Sequence, residues 1–154
     1  MSLRPATRDD VPALVTLVTE VLAEFGLAFG QGSKTDEQLL ALPESMTDDG
    51  GAFWVVEDDG GALLGCGGVA RIDDETFEIR KMYLHRAARG RGFGKRLLDT
   101  CEAHARSVGA RRLVLDTISE MAGAIRLYEG AGFVRDDAQI RGSRCSRGYR
   151  KDLT

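Results

Sequence analysis

Hydrophobic positions along the chain change period several times, and each change marks an element. Val11, Leu14, Val15, Leu17, Val18, Val21, Leu22 and Phe25 recur at helical spacing, and Gly26 ends the run. Thr7 or Asp9 is placed to cap this helix, and Asp9 and Asp10 favour its first turn. Leu3-Arg4-Pro5-Ala6 begins a strand, and Thr35 to Leu42 predicts a second, shorter helix stopped by Pro43. Phe53–Glu57, Leu63–Ile72 and Thr76–Leu84 predict three strands of an antiparallel meander, with turns at Asp58-Asp59-Gly60-Gly61 and Asp73-Asp74. Gly92–Val108 predicts a helix with Leu97, Leu98, Cys101, Ala105 and Val108 on one face, closed by Gly109. Leu113-Val114-Leu115 is a short buried strand. Ile125, Leu127 and Tyr128 belong to a last helix that stops at Gly130 or Gly132. Phe133-Val134 and Tyr149–Leu153 supply the final strands. The order β-α-α-β-β-β-α-β-α-β-β predicts one α/β layered domain, residues 1–154, built on a mixed sheet.

One strand breaks its own pattern. In Thr76–Leu84 the apolar side chains switch parity, with Phe77 and Ile79 at odd positions and Met82 and Leu84 at even ones. A strand has period two, so one face holds all four only if an extra residue is inserted. A β-bulge near Arg80-Lys81 is one solution, and it would free backbone groups for a ligand. Partial burial of both faces without a bulge is the other.

Composition adds mainly exclusions. The chain has 154 residues, 43% hydrophobic and 29% charged, as expected of one soluble domain with one core. No stretch approaches the roughly 18 apolar residues of a membrane span. The N-terminus has no signal-peptide pattern, which points to the cytoplasm. Cys66, Cys101 and Cys145 are odd in number and widely spaced, and the only histidines are His85 and His104. This argues against a disulfide framework and against a metal site. The net charge of −3 and pI near 5.4 are no footprint of nucleic-acid binding.

The charge distribution says more. Between Lys34 and Arg71 there are carboxylates but no Lys or Arg. Arg80, Lys81, Arg86, Arg89, Arg91, Lys95 and Arg96 crowd one segment that has no carboxylate. A local cationic patch on an acidic protein suits a small anionic ligand.

The patch contains Arg89-Gly90-Arg91-Gly92-Phe93-Gly94-Lys95, between a strand and a helix. Its three glycines let backbone N–H groups converge without side-chain obstruction. The helix start adds orphan N–H donors and partial positive charge, and Arg89, Arg91 and Lys95 add full charges. The loop therefore suits a phosphate or pyrophosphate. It is not a Walker A loop, because Gly94-Lys95 is followed by Arg96 and Arg89 stands where the first glycine is needed. It is not the dinucleotide fingerprint, whose third glycine would fall at Lys95. Arg89-x-x-Gly92-x-Gly94 does fit the pattern R/Q-x-x-G-x-G/A.

Glu78-Ile79-Arg80-Lys81-Met82-Tyr83-Leu84, followed by Arg89–Gly94 and a helix, resembles the central motif of the GNAT superfamily of acyl-CoA N-acyltransferases. Ala124-Ile125-Arg126-Leu127-Tyr128-Glu129-Gly130-Ala131-Gly132-Phe133 is similar to its A-x-x-L-Y-x-x-x-G-F signature. The opening Leu3–Asp10 and the closing Tyr149–Leu153 are similar to its first and last elements. The resemblance implies the acyl-CoA N-acyltransferase fold: a mixed, mostly antiparallel sheet of six to seven strands, flanked by about four helices, with a bulged fourth strand. It implies direct acetyl transfer from acetyl-CoA to a primary amine of a small molecule or peptide, with no metal, and a possible homodimer.

The resemblance also assigns residues. The backbone of Met82, Tyr83 and Leu84 would hold pantetheine in the gap beside the bulged strand. Backbone N–H groups from Arg89, Gly90, Arg91, Gly92, Phe93, Gly94 and Lys95 would hold the pyrophosphate, with Arg89 and Arg91 adding charge-assisted contacts. Tyr128 is the candidate acid for the departing thiolate, and Glu78 the candidate base. Asp74 and Glu75 are fallback bases, and His85 is placed for loop packing. The family's Asn before the last helix falls near Met121 here, with Ser119 as the possible substitute. The acceptor site would lie between the first two helices and the loop joining the last two strands. Those segments carry Phe25, Phe29 and Gln31, then Arg141, Arg144 and Arg147, and the arginines suit a carboxylate on the acceptor or partner. Two other readings stay open: a non-catalytic acyl-CoA-binding module or sensor, and a protein that uses the loop for ATP or NAD.

Overall fold

A computed structural model describes residues 1–30 and 36–154. Among the described residues, strands β1 (Ser2–Pro5), β2 (Ala52–Glu57), β3 (Leu63–Arg71), β4 (Thr76–Leu84), β5 (Arg112–Thr117), β6 (Val134–Arg135) and β7 (Arg147–Asp152) alternate with five α-helices. These are α1 (Val11–Ala23), α2 (Asp36–Leu40), α3 (Glu44–Thr47), α4 (Phe93–Ser107) and α5 (Ala122–Gly130). The strands form a single sheet in the order β1-β2-β3-β4-β5-β7-β6. Only the β4–β5 pair is parallel among the described residues, and α4 supplies the crossover such a pair requires.

Alternation within the strands sorts the helices onto two faces. Phe53, Val55, Cys66 and Ala70 pack with Leu14, Leu17, Val18 and Leu22 of α1. Val69, Phe77, Ile79, Leu113 and Leu115 pack with Leu98, Cys101 and Ala105 of α4. Ile125 and Tyr128 of α5 and Tyr149 of β7 join this second cluster.

The expected architecture is present, with local differences. The second helix ends at Leu40, before Pro43 as expected, and an additional short helix, α3, follows Pro43 directly. Thr35, where the second helix was expected to begin, and Gln31 lie outside the described residues. A 3-10 turn, Arg8–Asp10, leads into α1; Thr7 is its N-cap, as one of the two expected candidates, and the Asp10 carboxylate closes the capping box by accepting the Thr7 N–H at 2.7 Å beside two Arg4 hydrogen bonds at 2.8 Å.

The parity switch in β4 resolves as a bulge. Cys66 pairs with Tyr83 and Gly68 with Arg80, so Lys81 and Met82 together face the single residue Gly67. Lys81 takes a φ of 54°, a left-handed conformation unusual for a side chain of its size. The inserted residue keeps Phe77, Ile79, Met82 and Leu84 on the α4 side and sends Tyr83 to the α1 side. The buried Cys66 thiol donates to the displaced Lys81 carbonyl at 3.1 Å. A second consequence falls on the other edge of β4. Its ladder with β5 runs only from Thr76–Arg112 to Glu78–Val114, and the two strands part beyond that point.

Candidate active site

Two cavities open where β4 and β5 part. One, of about 580 Å³, lies between the glycine loop, the end of α1 and the start of α5. The other, of about 560 Å³, lies between the bulge, the end of β5 and the loop before β7. Met82, Tyr83, Met121 and Tyr128 line both, so the cavities adjoin at these four residues.

The glycine loop on one wall of the first cavity has features that suit an anion. Gly90 and Gly92 have φ of 75° and 83°, and no atom lies within 4 Å of where their side chains would project. Only glycine adopts this backbone without strain, and the bare loop leaves its N–H groups approachable. Gly92 caps α4, whose first-turn N–H groups at Phe93, Gly94 and Lys95 lack intrahelical acceptors. Gly94 serves packing as well. A Cβ there would meet Leu127 at 3.1 Å and Leu84 at 3.4 Å, so α5 and β4 close tightly beneath the loop.

The expected cofactor residues divide by position. Met82, Tyr83, Leu84, Arg89, Gly90, Gly92, Gly94 and Lys95 line this cavity. Arg91 does not: it is exposed and directs Nη1 toward the Met1 sulfur at 3.9 Å. The Phe93 ring is buried against Val56 and Leu97, which leaves only its backbone toward the loop. Arg89 is engaged on α1, with a bidentate pair to Glu24 at 2.8 Å and 2.8 Å and a bond from Nε to the Leu84 carbonyl at 3.0 Å. Arg126 is a lining cation that sequence reasoning passed over, and its position inside the A-x-x-L-Y signature was the available signal.

Tyr128 is 5% exposed and stacks edge-on against Phe133 at 6.0 Å between ring centres. Among the described residues nothing hydrogen-bonds its hydroxyl, yet that atom is not sealed from the cavities. Burial pushes its pKa well above the ordinary phenol value, so it stays protonated. Burial likewise pushes Tyr83 up to about 12.

The second cavity holds Glu78, 4% exposed. Its Oε1 accepts from Arg80 at 2.6 Å and its Oε2 from Arg141 at 3.2 Å. Beside it lies a cluster that sequence reasoning missed. Asp36, at the start of α2 and fully buried, pairs with Lys81 of the bulge and with both terminal nitrogens of Arg144 at 3.2 Å. It also accepts the Gly30 N–H at 2.6 Å. Burial works to raise the Asp36 pKa, but bonds from Lys81, Gly30 and Arg144 reverse this and hold it below the usual carboxylate range. Burial draws Lys81 below the usual lysine value against the pull of Asp36.

Other candidates fall elsewhere. Asp74 pairs with Arg71 and the Glu75 carbonyl accepts from Arg111 and Arg112, at the far end of β4 from both cavities. His85 caps a turn by accepting the Ala87 N–H at 3.1 Å. Ser119 bonds Ser146 and Arg147 and lines neither cavity, whereas Met121 lines both. Phe25 lines the glycine-loop cavity and not the second one, and Arg147 lines neither.

A bulged strand splayed from its parallel neighbour thus lies beside a glycine-rich helix start. Residues 16–133 match the acetyltransferase (GNAT) family, and the chain belongs to that family. It is 35% identical to the uncharacterized N-acetyltransferase YjgM of Escherichia coli, over 88% of this chain and 83% of that one. It is 34% identical to the IAA acetyltransferase of Azospirillum brasilense, over 79% and 76% of the two chains. Among solved structures, a GNAT-family acetyltransferase of Staphylococcus aureus Mu50 superposes with a TM-score of 0.89 at 20% identity, covering 99% of each chain. The acetyltransferase yncA of Salmonella typhimurium, solved with its cofactor acetyl-CoA, superposes with a TM-score of 0.79 at 23% identity, covering 100% and 94%.

Proposed function

We propose that this chain transfers the acetyl group of acetyl-CoA directly to a primary amine, with the donor in the glycine-loop cavity and the acceptor in the cavity beside Glu78. The observation that carries this reading is the meeting of the two cavities at Met82, Tyr83, Met121 and Tyr128. Two substrates held end to end there need no covalent enzyme intermediate, and positioning supplies much of the rate. The residues present fit the donor. Open-faced glycines, first-turn N–H groups, Lys95 and Arg126 suit a pyrophosphate, and the unladdered edge of β4 at Met82 and Tyr83 suits the amides of pantetheine.

Bound acetyl-CoA supplies an activated thioester carbonyl. The chain's part is proton management and alignment. An ammonium has no lone pair, so the acceptor must lose a proton before attack. Glu78 takes that proton through a lone pair left beside Arg80 and Arg141, or through a water between it and the amine. Tyr128, kept protonated by burial and with its hydroxyl facing the junction, donates to the departing sulfur.

Tyr128→Phe is expected to lower kcat about a hundredfold while leaving acetyl-CoA affinity within a few-fold. Steady-state kinetics beside calorimetry check this, and wild-type turnover removes Tyr128 as the acid. The reading as a whole is tested by titration with acetyl-CoA, ATP and NAD, followed by a turnover screen over amines. Binding of ATP or NAD without acetyl-CoA overturns it.

A further inference from the structure

Resting on the acetyl-transfer reading, we infer that the acceptor is an amine that also carries a carboxylate, and that Arg141 is the residue that recognises it. Four cations, Arg80, Lys81, Arg141 and Arg144, line the second cavity with Glu37, Glu78 and Asp116. Glu78 pairs with Arg80 and Arg141, and Asp36, buried behind the wall, pairs with Lys81 and Arg144. Arg80, Lys81 and Arg144 are sunk into the wall, with side chains 16%, 5% and 11% exposed. Arg141 differs, because its side chain is 40% exposed and it lines the cavity.

The contacts of Arg141 are also the loosest of the four. Nη1 reaches Glu78 and the Gln139 carbonyl, each at 3.2 Å, and Nη2 reaches the Gln139 side chain at 3.4 Å. Among the described residues no acceptor meets its Nε. Nη2 is held only by that long contact to Gln139, so a planar, two-oxygen anion that displaces it can take the edge formed by Nε and Nη2, which is the geometry of a carboxylate. This is not a guanidinium on a loose loop. Asp116 of β5 accepts the backbone N–H groups of Arg141 and Gly142 at 2.7 Å and 2.8 Å and pins the loop to the sheet. Glu37, exposed on the rim of the same cavity, offers the opposite charge, so the site suits a zwitterion such as an amino acid.

The test compares amines with and without the carboxylate. With acetyl-CoA saturating, kcat/KM is measured for leucine against isopentylamine, phenylalanine against phenethylamine and β-alanine against ethylamine, with phosphoethanolamine against ethanolamine as the alternative anion. Wild-type protein is expected to favour the carboxylate member of at least one pair by roughly tenfold to a hundredfold, the value of a charge-assisted bidentate contact. Arg141→Gln is expected to collapse that ratio toward one. Arg141→Lys, which keeps the charge beside Glu78 but loses the fork, is expected to retain part of it. A purely structural role would depress both members of a pair equally and leave the ratio in place. The proposal is overturned if the wild-type ratio is one or less, if the ratio survives in Arg141→Gln, or if the phosphate member is the one preferred. Intact acetyl-CoA binding with transfer to neither series overturns the carboxylate assignment alone. Failure to bind acetyl-CoA overturns the donor reading as well.

Discussion

Gly92→Asp is expected to weaken acetyl-CoA binding by on the order of a hundredfold or more. Two costs add. The first is conformational: Gly92 sits at a φ of 83°, an L side chain there costs about 1–2 kcal/mol, and an exposed loop relieves that strain by relaxing away from this conformation, which binding must then restore. The second is electrostatic. The substitution sets a carboxylate at the cap of α4, among the N–H groups proposed to hold the pyrophosphate. Like charges about 6 Å apart near a protein surface repel by roughly 2–3 kcal/mol. Tenfold in affinity corresponds to about 1.4 kcal/mol, so either cost is measurable and both together exceed a hundredfold. The fold itself has room for the side chain, because no atom lies within 4 Å of its Cβ. Gly92→Ala separates the costs, as it carries the strain without the charge. Calorimetric titration of both variants checks the prediction, and unchanged affinity in Gly92→Asp removes the loop from the donor site.

Asp36→Ala is expected to cost about 3–5 kcal/mol of stability, the range for removing one partner of a buried ion pair. Asp36 is fully buried, and its loss leaves Lys81 and Arg144, themselves buried, without the carboxylate that joins them. For a chain of this size that lowers Tm by roughly 10 °C. The cluster ties α2, the β4 bulge and the loop before β7 together, so the cavity beside Glu78 is expected to loosen with it. Acid adds a second readout. The Asp36 pKa in the fold lies below its ordinary value, so the pair's contribution is fully present above the ordinary carboxylate range of about 4 and is lost as pH falls through the depressed value. Other paired carboxylates such as Asp10 have the same sign, so the difference between proteins is the informative quantity. Asp36→Ala is expected to lose less stability than wild type between pH 4 and lower pH. Denaturant melts across that range check it, and equal acid sensitivity would contradict the role of the cluster.

What the sequence determined by itself was local. Helical and strand periods, glycines at positive φ and orphan N–H groups at a helix start all depend on residues a few positions apart. Hence α1, α4, the meander and the Arg89–Lys95 loop were legible in the letters. The parity switch in β4 was also legible, but along one strand it left a bulge and two half-buried faces both open, and the pairing with β3 decided for the bulge. The short elements were less legible. Leu42-Pro43 was read as a stop, yet α3 resumes beyond it because Met46 is buried with Leu39 and Leu42 in the α1-side core.

Only the tertiary structure decided who partners whom. Asp36 meets Arg144 from 108 positions away, a pairing set by packing and not by spacing. Arg141, Arg144 and Arg147 look alike in sequence, yet Arg141 lines the second cavity 40% exposed, Arg144 lines it sunk against Asp36, and Arg147 turns to Ser119 and Tyr149. Arg89 looked like a phosphate ligand, and the fold brought Glu24 to meet it. Long-range charge pairing depends on distances that no local rule contains, and so the glycine loop was readable before folding while the cavity beside Glu78 was not.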